Sequence, residues 1–220
     1  AREPLELDLP ERKIMLNADG TVDRVTVPER LDWHRLIEEF MIQANVAAAE
    51  ALETKRSPLV YRIHDVPDRE KIEELAAFLR AIGFTLKVSG GSVSGQEINR
   101  LFKEIEGRPE ENLIKTATIR SMAKAVYSTK NIGHFGLAFR YYTHFTSPIR
   151  RYPDVMVHRI LKKHLGEETG ISEKELAEYE GLAIRSSERE AAAVEAEREA
   201  IRYKQVEFLE GRVGEAFEGV

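Results

Sequence analysis

The stretch His144-Phe145-Thr146-Ser147-Pro148-Ile149-Arg150-Arg151-Tyr152-Pro153-Asp154-Val155-Met156-Val157-His158-Arg159 decides the reading of this chain. The 220-residue sequence is acidic, with a formal net charge of -5. Between residues 140 and 163, however, Arg140, Arg150, Arg151, Arg159, Lys162 and Lys163 face a single acid, Asp154. A basic segment inside an acidic chain points to a local anion site and not to general adhesion to nucleic acid. Ser147-Pro148 reads as an N-cap followed by a first-turn proline. A helix start there aims free N–H groups, a positive dipole end and arginine forks at one place, which suits a phosphate. The same spacing supports a structural alternative. Arg150, Asp154 and His158 fall at i, i+4 and i+8, so they can form an ion ladder on one helix face.

Outward from this stretch, the composition is that of a globular chain with one substantial core, 42% hydrophobic and 32% charged. The absence of cysteine excludes disulfides and thiolate metal sites and fits the cytoplasm. No apolar run approaches the ~20 residues of a membrane helix, so no membrane partner is expected. Ala1-Arg2-Glu3-Pro4 lacks the apolar run of a signal peptide.

Leu5–Leu16 and Thr21–Val27 read as strands joined at Asp19-Gly20, a hairpin signal. A helix is expected from Asp32 to Lys55, its inner face carrying Leu36, Phe40, Ala44, Ala47 and Ala51. Leu59–Ile63 reads as a strand, and Pro67-Asp68 opens a helix that Gly83 closes. Ser89-Gly90-Gly91-Ser92 reads as a flexible loop. Helices start at Ser94 or Gly95 and again at Pro109, the latter running to about Tyr127. Gly133–Phe145 is aromatic enough for a buried strand that delivers its end into Thr146-Ser147-Pro148. A helix follows to about His164, and Ser172 caps a long helix to Glu210. Its stripe is Leu176, Tyr179, Ala183, Ser186, Glu190, Val194, Glu197, Ile201 and Phe208. Carboxylates on an apolar stripe need partners. Glu190 reads as structural, and Glu197 is expected to pair with an arginine near position 150.

The run Tyr142–Asp154 followed by His158-Arg159 resembles the signature of the ribonuclease II / ribonuclease R family and its RNB catalytic domain. Arg35-Leu36-Ile37-Glu38-Glu39-Phe40-Met41 with Ala44-Asn45, and Ala196-Glu197-Arg198, resemble the same family. The stretches lean toward ribonuclease R, although the features separating it from ribonuclease II lie largely in flanking domains. The resemblance implies an α+β fold: a partial RNB domain with a mixed, mostly antiparallel sheet flanked by several helices and ending in a long helix. Residues 1–210 would be the carboxy-terminal two-thirds of the catalytic domain. Residues 211–220 would open an OB-fold barrel, truncated here.

The resemblance also implies a function: processive 3′-to-5′ hydrolysis of RNA, releasing nucleoside 5′-monophosphates. It gives Arg150 the catalytic role, a guanidinium on the phosphate at the scissile end. Thr146, Ser147, Arg151, Tyr152, His158 and Arg159 become candidates for holding RNA. Arg151 diverges by about 100° from Arg150 in a helix, so it contacts another phosphate or pairs structurally. Glu39 would hold a sugar hydroxyl, or else is a solvated helix glutamate. Glu197 would border the catalytic pocket. Of Tyr141, Tyr142 and Tyr152, those facing the RNA could stack on bases, worth ~1–3 kcal/mol each. His134, His144, His158 and His164 match no standard zinc spacing.

The family's metal, Mg²⁺, needs clustered carboxylates. The aspartates are Asp8, Asp19, Asp23, Asp32, Asp65, Asp68 and Asp154, and no tight cluster exists among them. Asp65 and Asp68 flank a helix start, where capping is expected. The Mg²⁺ ligands are therefore expected outside this chain, which alone would be inactive. The expected partner is the 3′ end of single-stranded RNA, bound by a monomer. Two other readings stand beside the enzyme: a non-catalytic RNA-binding protein on an RNB scaffold, and a helical interaction protein built on residues 172–210.

Overall fold

A computed structural model describes residues 3–6, 13–29, 31–166 and 172–216. Lys13–Leu16 (β1) and Val22–Thr26 (β2) form an antiparallel hairpin. Its turn is closed by Asp19, whose carboxylate accepts from the Thr21 N–H and hydroxyl at 2.9 and 2.6 Å. Gly20 sits there at φ 82°, a conformation open to glycine. The first strand is shorter than the sequence suggests: residues 3–6 are irregular, and residues 7–12 lie outside the described residues.

Asp32–Thr54 (α1) has the expected length but a different inner face. Asn45, Val46, Ala48, Ala49 and Leu52 are buried, while Leu36, Phe40, Ala47 and Ala51 are exposed. Alanines occur all round this half of the helix, so their periodicity marks no face. The bulkier Val46 and Leu52 choose which side packs. Tyr61–Ile63 (β3) follows. Arg69–Ala81 (α2) is capped by Asp68, whose carboxylate accepts from the Glu70 and Lys71 N–H groups at 2.9 and 3.4 Å. The Ser89–Ser92 loop is a closed two-residue turn, with both central glycines at positive φ. Gly95–Ile105 (α3) is capped by Ser94.

Glu111–Ser121 (α4) stops well short of Tyr127. Val126–Ser128 instead forms β4, antiparallel to β3 with Arg62 opposite Tyr127. Burying the Tyr127 ring in strand geometry overrides the helical reading there. Residues 133–145 form no regular strand. Gly133 at φ 84° and Ala138 at φ 53° turn the chain back, leaving isolated bridges from His134 to His64 and to Phe139. Tyr152–His164 (α5) starts five residues after Ser147, with Pro153 in its first turn. Two prolines compete for one helix start, and the second takes it, where its missing N–H costs nothing.

Ser172 caps only the short Glu173–Ala177 (α6), in a capping box with Glu175. After a break at Glu178 comes Tyr179–Glu210 (α7). The bend lets both Leu176 and the buried Tyr179 pack on one core. Residues 211–214 form turns, and residues 217–220 of the expected barrel strand lie outside the described residues.

Two cores result. One joins α2, α3 and α4 through Ile72, Leu79, Ile98, Leu101, Ile105 and Ile114. The other joins α1, β3, β4, α5 and α7 through Leu52, Val60, Tyr127, Met156, Val157 and Ala183. The basic motif lies against the second.

Candidate functional site

The motif is held by hydrogen bonds that tie it to α1, to the Val60 carbonyl and to its own His158. Buried Asn45 of α1 donates to the Tyr142 hydroxyl at 3.1 Å and accepts from the Phe145 N–H at 2.8 Å. Thr143, fully buried, donates to the Val60 carbonyl at 2.6 Å. His158 Nε2 donates to the Phe145 carbonyl at 2.9 Å, and its ring stacks on Phe145 with centroids 4.0 Å apart. His158 is thus engaged behind the loop.

Asp154 is the central tie. It is 0% exposed, and Oδ1 accepts from the Ser147 N–H at 2.7 Å and from Arg151 Nη2 at 2.8 Å. The expected ladder from Arg150 through Asp154 therefore does not form. The partner is Arg151, one residue along, because the chain is not yet helical at 150. Asp154 Oδ2, Arg151 Nε and Thr146 Oγ1 are buried without hydrogen-bond partners among the described residues. Ser147 contributes its backbone N–H to this tie and does not cap the helix.

The freed Arg150 is exposed and lines a cavity of about 590 Å³ between the loop and α7. Arg151, Tyr152 and Pro153 complete the loop wall. Arg185, Ser186, Arg189, Glu190, Val194 and Glu197 supply much of the helix wall, and Tyr127 also faces the space. Arg62 chelates Glu190 through two hydrogen bonds at 2.6 and 3.1 Å and lies over the Tyr127 ring at 4.6 Å. Glu190 is thereby neutralised, and its structural role is visible in the geometry. Glu197 is exposed, with no ion-pair partner among the described residues. The expected pairing with an arginine near 150 is therefore absent there, and the carboxylate faces the cavity directly. A helix only part-covered by the loop leaves that turn in solvent.

The remaining predicted residues lie elsewhere. Arg159 pairs with Glu175, whose carboxyl is held down to about 2 by hydrogen bonds from Ser172 and by Arg159 itself. Glu39 is half-buried, accepts from Gln43 Nε2 at 2.7 Å and does not line the cavity. Thr146 and Ser147 do not line the cavity. Tyr152 is 52% exposed and available for stacking. Sequence reading missed Arg185, Arg189 and Arg62. The first two were legible as i, i+4 cations flanking the stripe at Ser186.

Beside the cavity lies a set of part-buried and buried rings. Tyr127 and His144 share a 2.8 Å hydrogen bond between the hydroxyl and Nδ1. Burial, helped by the Arg151 and Arg62 cations, pushes His144 down to about 2. Burial raises the Tyr127 hydroxyl to about 12. His134 is lowered to about 3 by burial, with His64 and Arg62 adding to it. His64 is fixed as the Nε2–H tautomer: Nε2 donates to the Ala123 carbonyl at 2.8 Å, and Nδ1 accepts from the Gly136 N–H at 2.9 Å. These imidazoles are neutral structural groups.

Among the described residues no group of three or more His, Asp or Glu is placed to hold a metal ion. Asp68 caps α2, Asp65 accepts from the Val66 N–H, and Asp154 is taken by Arg151. The donor set does not fit a divalent cation.

A model of the RNB domain matches residues 1–167. Ribonuclease R of Aquifex aeolicus is 44% identical over 216 residues, covering 98% of this chain and 30% of that protein. Ribonuclease R 1 of Lactococcus lactis is 38% identical over 222 residues, covering 100% of this chain and 27% of that protein. The chain thus spans less than a third of the length of these relatives. Among solved structures, Mycoplasma genitalium RNase R in complex with ribose methylated single-stranded RNA superposes with a TM-score of 0.90 at 26% identity. That match covers 97% of this chain and 34% of the other. By the match over residues 1–167, and with relatives of this similarity, the chain belongs to the RNB domain family.

Proposed function

We propose that this chain is the arginine-bearing part of a 3′-to-5′ exoribonuclease catalytic domain, and that its 590 Å³ cavity receives the 3′ end of single-stranded RNA. One observation carries the reading. Of two adjacent arginines, Arg151 is tied to buried Asp154, while Arg150 stands on the cavity wall without a partner among the described residues. A guanidinium held by a rigid loop and left unpaired is suited to a phosphate oxygen, to which it can donate two parallel hydrogen bonds. Placed at the scissile phosphate, it offsets negative charge that grows in the transition state. The loop contributes preorganisation: the Asp154 tie and the Asn45 bonds fix the backbone, so aiming Arg150 costs little ordering at the moment of reaction. Exposed Tyr152 offers a ring for a terminal base. Glu197 sets an acidic limit along the same wall and discourages the polyanion from sliding past it.

The divalent metal that RNB ribonucleases use would supply the activated water. Among the described residues no cluster of His, Asp or Glu is placed to hold it, and what they offer the reaction is the arginine side of the site. Hydrolysis to nucleoside 5′-monophosphates, a processive course, Mg²⁺ as the ion and a cytoplasmic monomer are the finer terms of this reading.

The test uses a longer protein carrying this chain, with single-stranded RNA labelled at either end. The expected result is immediate release of the 3′ label as a mononucleotide, with the 5′ label appearing last. Internal cuts, or early release of the 5′ label, would overturn the reading. Binding without any release would favour a non-catalytic RNA-binding protein.

A further inference from the structure

Two guanidiniums of α7 share the cavity of Arg150 and have no assigned role. Arg185 and Arg189 both line it, both are exposed, and neither has a hydrogen-bond or ion-pair partner among the described residues. Their i, i+4 spacing puts them on one helix face, about 6 Å apart along the axis. The nearest acid on that wall, Glu190, is occupied by Arg62 through bonds of 2.6 and 3.1 Å. The next, Glu197, lies about 12 Å beyond Arg189 along the helix, too far to neutralise it. Arg150 faces this pair across the cavity. Three cations around one space repel each other until an anion enters. Leu182, Pro153, Ala193 and Tyr152 provide apolar and aromatic surface beside them, which suits bases and sugars better than a bare inorganic anion.

We propose that Arg185 and Arg189 form a second phosphate subsite, taking the backbone phosphodiester next to the one held by Arg150. The inference rests on the reading of this cavity as the RNA site. Arg150 then acts on the reacting phosphate, while the α7 pair fixes the register of the strand without reading its sequence.

The experiment measures binding of the 220-residue chain to a short fluorescein-labelled single-stranded oligoribonucleotide across a series of KCl concentrations. The double variant Arg185→Ala/Arg189→Ala is expected to bind about tenfold more weakly, with a salt slope shallower by about 0.7, the share of the one phosphate lost. Lysine at both positions should restore most of the slope, since the charge returns. Its melting temperature should equal that of the unsubstituted chain, because both side chains are exposed. A double variant that fails to fold would make the arginines structural and overturn the inference. Unchanged affinity and slope in the double variant, with Arg150→Ala still weakening binding, would overturn the subsite alone. If the unsubstituted chain does not bind the oligoribonucleotide, the reading of the whole cavity falls and takes the subsite with it.

Discussion

Asp154 binds Arg151 at 2.8 Å from the first turn of α5, and that pair separates the roles of two adjacent arginines. Arg151 is spent on the fold, its side chain 18% exposed against 0% for Asp154. Arg150 is left facing the cavity. The carboxylate also fixes the Ser147 N–H, so one buried acid sets the shape of the loop from 147 to 151.

Replacing Asp154 by Ala should cost roughly 3 kcal/mol of stability, because it leaves a part-buried guanidinium and the Ser147 N–H unpaired. Urea unfolding of the chain measures it. A loss within the range of a surface substitution would show that the tie is dispensable.

Arg150→Ala should leave stability within about 0.5 kcal/mol, since the side chain is exposed. In a longer, active protein it should lower kcat by ~10²–10³-fold with a smaller effect on RNA affinity. Arg150→Lys should recover activity only in part, for want of the planar fork. Arg151→Ala should show the opposite pattern, losing stability first. Steady-state kinetics beside melting curves separate the two.

Glu197→Ala should tighten binding of single-stranded RNA without changing stability. The carboxylate is exposed and lines the cavity beside cations, so its removal relieves repulsion of a polyanion. The gain should shrink as salt rises. Dissociation constants equal to those of the unsubstituted protein at every salt concentration would place Glu197 outside the RNA path.

Acid should destabilise the fold well before the carboxylates titrate. His144 and His134, with folded values of about 2 and about 3 against an ordinary 6.5, remain neutral when folded. Their depressed values mean the unfolded chain takes up protons first as pH falls through 6.5, so their contribution is intact above 6.5 and lost progressively below it. Each such histidine can steepen the loss by up to ~1.4 kcal/mol per pH unit. Urea midpoints should drop between neutral pH and about pH 5, and His144→Phe should flatten the slope below about pH 6.5. A pH-independent midpoint over that range would show that these imidazoles are not buried neutral.

The 220-residue chain alone is expected to bind single-stranded RNA without releasing mononucleotides, because its described residues lack a carboxylate group for a divalent ion. Labelled RNA incubated with Mg²⁺ checks this. Turnover at an ordinary enzymatic rate would reveal a metal site built in some other way.

The sequence by itself determined the local elements with strong end signals. Asp19-Gly20 specified the hairpin, Asp68 and Ser94 the starts of α2 and α3, and the motif around Arg150 the family. These are short-range matters, decided by caps, turns and residue spacing within a few positions. Only the tertiary structure decided which face of α1 is buried, that residues 126–128 pair as a strand with 61–63, and that the chain from 133 to 145 folds back on itself. It alone showed that Asp154 belongs to Arg151, Glu190 to Arg62, and that Arg185 and Arg189 face Arg150. The physical reason is range. A charge is satisfied by whatever partner the packing brings to within a few ångströms, and Arg62 meets Glu190 across 128 residues of sequence, a separation that no periodicity encodes.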